Sequence, residues 1–114
     1  MHAVVRDSTT WRTTWQQINQ PFFPQPPLPT VDFNREMVLL AAMGTEPSGG
    51  YELVIERATR DTTGIDVQLR RVSPGAGCPV SAVLTQPLDL VRVPFSDQPV
   101  RFSERAEATS CSAR

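Results

Sequence analysis

Met37 to Met43 is an uncharged apolar run whose length suits a strand buried on both faces. It stops at Gly44-Thr45-Glu46-Pro47-Ser48-Gly49-Gly50, a series of breakers that can propagate neither a helix nor a ladder. Beyond it Tyr51, Leu53 and Ile55 alternate with Glu52, Val54 and Glu56, the period of a half-exposed strand. The expected order is strand, tight connection, strand. Pro47 fixes its own φ, and Gly49 and Gly50 permit the positive φ values that turn a chain sharply.

The flanks follow the same two periods. Ala3 to Val5 reads as a short first strand, and Ser8 as the N-cap of a helix over about residues 9–18. Trp11, Trp15 and Ile18 fall at i, i+4 and i+7 on that helix, which should lay both indoles on the sheet. Pro21 then disfavours helix at Gln20. From Pro21 to Pro29 five residues in nine are proline, a stiff connector expected to tuck Phe22, Phe23 and Leu28 onto the core. Asp32 reads as a turn or capping residue.

Asp61-Thr62-Thr63-Gly64 has the residues of a tight turn, and Ile65, Val67 and Leu69 alternate with Asp66, Gln68 and Arg70 after it. These two strands make the clearest hairpin. Its outer face carries Glu52, Glu56, Arg57, Asp66, Arg70 and Arg71, which can pair across strands at little gain each. Ser73 to Pro79 is a loop, and Val80 to Gln86 is irregular or a short strand. Leu88 to Val93 forms a further strand, and Val100 with Phe102 marks a last edge strand after the Ser96–Pro99 turn. The sum is an α+β domain over residues 1–114: a small antiparallel sheet or partly closed barrel of five to six strands, with one N-terminal helix packed on it.

Composition narrows the chemistry. The 114 residues suffice for one core, and the net charge of −1 with dispersed arginines gives no reason to expect nucleic acid or an anionic membrane as partner. No apolar stretch is long enough to span a bilayer, so no membrane insertion is expected. With two cysteines and one histidine, neither a metal site nor another cofactor is expected. Cys111 lies in a polar tail, residues 106–114, and is easiest to explain if it ties that tail down, so a Cys78–Cys111 disulfide is expected. The N-terminal residues have neither the basic start nor the apolar core of a signal peptide.

Nucleophilic catalysis needs a base beside a Ser, Cys or Thr, and the only histidine is His2. Pro47-Ser48-Gly49 is followed by a strand where a nucleophile elbow requires a helix. Glu52 with Asp66, or Asp32 with Glu36, reads better as solvated surface than as a carboxylate pair. The chain is therefore not expected to be an enzyme. What remains is binding, with Glu46, Pro47, Ser48, Gly49, Gly50 and Tyr51 as the candidate surface. A plain turn with Tyr51 in the core explains the same residues.

Val31-Asp32-Phe33, the apolar strand, the Gly44-x-x-Pro47-Ser48-Gly49-Gly50-Tyr51 loop and the closing Thr85-Gln86-Pro87-Leu88 to Pro94 segment resemble the C-terminal domain of the bacterial protease-complex subunit PrcB. The resemblance covers residues 31–94. Leu88 stands where that family more often has an aromatic residue. The resemblance implies a small, non-catalytic, extracytoplasmic domain (periplasmic, cell-surface or secreted) that associates with a protease or another envelope protein. The 46–51 loop is also similar to the Asn-Pro-Thr-Thr-Gly-Tyr loop of chagasin-type cysteine-protease inhibitors, with Glu46 in the asparagine position. Three readings follow: a partner-stabilising domain, a peptidase inhibitor acting through residues 44–51, or a structural module with no ligand.

Overall fold

A computed structural model describes residues 1–111. Six strands and one helix follow in the order β1 (His2–Val5), α1 (Ser8–Ile18), β2 (Glu36–Ala42), β3 (Glu52–Arg60), β4 (Ile65–Pro74), β5 (Leu88–Pro94) and β6 (Val100–Thr109). The α+β class and the strand count are as expected. The strands divide between two three-stranded sheets, β1-β2-β5 and β3-β4-β6, and close no barrel. All pairings are antiparallel except β4 with β6, which is parallel from Ile65↔Val100 to Pro74↔Thr109.

The uncharged run of β2 has the physical reason expected of it. Met37, Leu39 and Ala41 point into a core between the sheets, where they meet Leu53, Ile65, Val67 and Leu69. Val38 points the other way, into a second core with Val5 and Trp11 of the helix. Five consecutive β2 residues, Met37 to Ala41, have no exposed surface. A charge anywhere among them would be buried without a partner.

Helix α1 starts one residue earlier than its sequence suggests. Asp7, not Ser8, is the N-cap, and its carboxylate accepts from the Thr10 N–H at 2.8 Å and the Thr10 hydroxyl at 2.9 Å. These bonds hold the Asp7 carboxyl below its ordinary pKa, the backbone N–H foremost. Trp11 is buried and Trp15 half-buried on the β1-β2-β5 sheet. Their indole N–H groups donate to the carbonyls of Pro29 and Pro26, both at 2.9 Å. The proline segment is thus tied by its backbone. Its side chains do not enter the core: Phe22 is 58% exposed, Phe23 100% and Leu28 38%. Proline carbonyls make good acceptors for the two indoles, and an extended segment held that way leaves its side chains facing out.

The sheets are joined at their edges by side chains. At one edge the Asp89 carboxylate of β5 accepts from the Ile55 N–H of β3 at 2.8 Å. Ile55 borders an irregularity at which the register with β4 shifts, leaving Glu56 as an extra residue. At the opposite edge His2 of β1 stacks on Phe102 of β6, ring centroids 4.6 Å apart, and its Nε2 lies 3.0 Å from a Glu104 carboxylate oxygen. The outer face of β3-β4-β6 carries the expected charges except Arg71, which pairs in register with the core residue Leu53 and so lies on the inner side, 3.8 Å from Glu46 and 3.7 Å from Glu104. Glu56 meets Arg70 at 3.1 Å and Arg105 at 2.8 Å, and Asp66 meets Arg101 at 2.7 Å.

Candidate functional site

The 44–50 segment is not a hairpin turn. It carries the chain from one sheet to the other, and it is ordered by a second irregular segment, the arm of residues 79–87. Gly44 leaves β2 with φ 83°. Glu46 and Thr85 then exchange backbone hydrogen bonds at 2.8 and 3.0 Å, an isolated antiparallel bridge. The Thr85 hydroxyl donates to the Ser48 carbonyl at 2.8 Å, and the Gly49 N–H donates to the Ser81 carbonyl at 3.0 Å. Pro47, which has no N–H to offer a ladder, sits exposed at the gap between these attachments.

Each residue singled out from the sequence has a definite place. The Glu46 side chain, only 17% exposed, turns toward Arg71 at 3.8 Å. The Ser48 hydroxyl donates to the Gly49 carbonyl at 3.0 Å. Gly49 and Gly50 both matter, for different reasons. A Cβ at Gly49 would lie 2.5 Å from the Ser81 hydroxyl oxygen, so a side chain fits there only once that hydroxyl has rotated away. Gly50 has φ 91°, and a Cβ there would lie 3.0 Å from the Pro74 ring. Tyr51 is half-buried. The loop therefore exposes Pro47, leaves Ser48 and Tyr51 half-buried, and uses Glu46 and Gly50 for its own shape.

Beside this loop lies a feature the sequence reading missed. A groove of about 670 Å³ runs between the end of α1 and the start of β5. Trp15, Ile18 and Phe22 line one side, Leu84, Leu88 and Leu90 the other, and Thr45 of the loop reaches its rim. Among the described residues no charged side chain lines it. Leu84 is 74% exposed, and Val80 and Val83 of the same arm are 44% and 58% exposed. The signal was present in Val83-Leu84 and Phe22-Phe23, apolar pairs in segments of neither helical nor strand period. A pair outside any period has no predicted partner, so its exposure could not be read. Among the described residues no group of three or more His, Cys, Asp or Glu side chains could hold a metal ion.

The irregular loop followed by the closing Thr85-Gln86-Pro87 strand entry is matched by a family model. That model is described as PrcB C-terminal, and it covers residues 37–94. The chain belongs to the PrcB C-terminal family. No curated protein and no solved structure matches it. The PrcB C-terminal span opens at Met37 in β2 and closes at Pro94 in β5. It thus contains the loop, the β3–β4 hairpin and the whole arm, while helix α1 and strand β6 lie outside it. The PrcB C-terminal match also leaves out Trp15 and Phe22, so one wall of the groove is built from residues beyond the family span.

The disulfide expected from the sequence joins Cys78 to Cys111, 33 residues apart. It sits where the parallel β4–β6 ladder ends, one residue before the arm begins. No helix among the described residues is long and apolar enough to cross a membrane.

Proposed function

We propose that this PrcB C-terminal domain is a non-enzymatic, protein-binding module that associates with and stabilises a secreted or envelope partner, a protease in the first instance. The observation that carries the reading is the uncharged groove opening directly beside the family's loop. Together they offer a partner one surface on which the exposed Pro47, Leu84 and Phe22 can be buried at little desolvation cost, with the half-buried Ser48 and Tyr51 on the loop itself. The family's association with a protease complex points to the class of partner. The disulfide fits an oxidising compartment.

The inhibitor reading uses the same loop differently, since a loop that enters a peptidase cleft must protrude. Residues 46–49 are hydrogen-bonded along one side to the arm, which makes them part of a ledge and favours a broad docking face. The test is affinity capture from the extracytoplasmic fraction of the source cells with three baits, followed by a peptidase assay on what is retained. The baits are wild type, Leu84→Asp and Pro47→Ala/Ser48→Ala. Loss of a retained protease with Leu84→Asp, the enzyme remaining active in the wild-type complex, is the expected result. A protease inhibited by wild type and released by the loop variant alone would favour inhibition, and nothing retained by any bait would favour a structural module.

A further inference from the structure

We infer that the Cys78–Cys111 disulfide keeps the candidate site assembled, so that the loop and the arm are ordered against each other only in the oxidised protein. The inference rests on the proposal that loop and arm form the binding surface, and it concerns the control of that surface by redox state.

The arm has little of its own to hold it. Val80 to Leu84 are all exposed, and no arm residue belongs to either core or packs against it. Its attachments are the continuation into β5 after Pro87, where Met43 donates to the Pro87 carbonyl at 3.0 Å, the hydrogen bonds of Ser81, Thr85 and Gln86 to the loop, and the disulfide at its N-terminal end. The loop is held in turn by the arm, because the N–H groups of Glu46 and Gly49 both donate to arm carbonyls. Around the disulfide the packing is close. The position of a Cβ at Gly75 is already taken by the Thr109 carbonyl, and a Cβ at Gly50 would lie 3.2 Å from Val80 of the arm. The bond therefore clamps the end of the β4–β6 ladder and fixes the point from which the arm departs. Without it, a segment with almost no buried apolar surface would be positioned only by its pairing to the loop and its continuation into β5, and the entropy of the chain released at its other end opposes that pairing.

Reduction by a dithiol such as dithiothreitol is a two-electron exchange. Thiolate attack breaks the Cys78–Cys111 bond, the second reagent thiolate closes the cyclic disulfide of the reagent, and both cysteines end as thiols. Re-oxidation reverses it.

The test is backbone amide hydrogen exchange on the whole chain, read by NMR for the oxidised protein, the dithiothreitol-reduced protein and the Cys78→Ser/Cys111→Ser variant. In both forms lacking the bond, the amides of Glu46, Gly49 and Thr85 should exchange at least about tenfold faster than in the oxidised protein. Leu39 and Val67, at the centres of the two sheets, should keep their protection, and re-oxidation of the reduced sample should restore the loop. Unchanged protection at Glu46, Gly49 and Thr85 after reduction would overturn the inference. So would loss of protection at Leu39 and Val67 as well, since the bond would then hold the fold and not the site. No partner enters the measurement, so its outcome is independent of whether the surface binds a protease.

Discussion

Gly49 and Gly50 are adjacent and identical in sequence, yet they should respond very differently to alanine. At Gly50 a Cβ must accept a φ of 91° and lie 3.0 Å from Pro74 Cβ and 3.2 Å from Val80 Cγ1. The left-handed conformation costs a residue with a Cβ about 1–2 kcal/mol. Crowding against a proline ring that cannot rotate away adds on the order of 1 kcal/mol. The reduced entropy of the unfolded chain returns about 0.4–1 kcal/mol. Gly50→Ala is therefore expected to destabilise the domain by about 1–2.6 kcal/mol, a fall in Tm on the order of 4 °C per kcal/mol for a chain this size. Gly49 has no positive φ, and the atom its Cβ would meet is the Ser81 hydroxyl, at the end of a side chain that can rotate. Gly49→Ala should cost less than about 0.5 kcal/mol, with the Ser81→Ala background removing even that. Urea unfolding of the oxidised protein, followed by circular dichroism, measures all three variants. Equal losses at the two positions would refute the reasoning, as would a Gly49→Ala loss that persists in the Ser81→Ala background.

Other expectations follow from the same contacts. Asp89→Ala leaves the half-buried Ile55 N–H without its acceptor and should cost about 1–3 kcal/mol by urea unfolding, while Asp89→Asn, which keeps a carbonyl oxygen, should cost less. Leu39→Ala opens a cavity in the core between the sheets and should cost about 2–5 kcal/mol. Asp61 accepts from the Thr63 hydroxyl and N–H at 2.7 Å each and from the Gly64 N–H at 3.0 Å, and the Thr63 hydroxyl contributes most to holding its carboxyl below the usual range. A folded pKa below the unfolded one means stabilisation that is present above the unfolded value and lost as pH falls through the folded one. Unfolding scans from pH 6 downward should therefore show a loss below about pH 4 that is shallower in Asp61→Asn.

Much of the fold could be read from residue pattern, and the parts that could not have a common cause. The β2 run lacks charge because both its faces are covered, and the 61–64 turn joins strands whose alternation marks one wet side. Both are local facts with local signals. Which strands share a sheet is not local. β2 and β3 are consecutive, yet they lie in different sheets, because the loop between them pairs with the arm near Thr85 and not with itself. The parallel β4–β6 pairing likewise depends on a long connection that alternation does not record. At the site, the glycines and Pro47 announced a turn, whereas the groove needed Trp15, Phe22 and Leu84 from three distant segments. Exposure of Phe22 and Phe23 reverses the usual meaning of an aromatic pair, since backbone carbonyls rather than rings anchor the proline segment.

The central claim is that one surface, the 44–51 loop with its neighbouring groove, receives a protein partner. Titration of the isotopically labelled, oxidised domain with the protease retained by capture, read by amide chemical shifts, tests it most directly. The account predicts shifts concentrated at Pro47-flanking amides, Tyr51, Thr45, Leu84 and Leu88, abolished by Leu84→Asp. Shifts confined to the charged outer face of β3-β4-β6, around Glu56, Arg70 and Arg105, with Leu84→Asp binding as wild type, would contradict it.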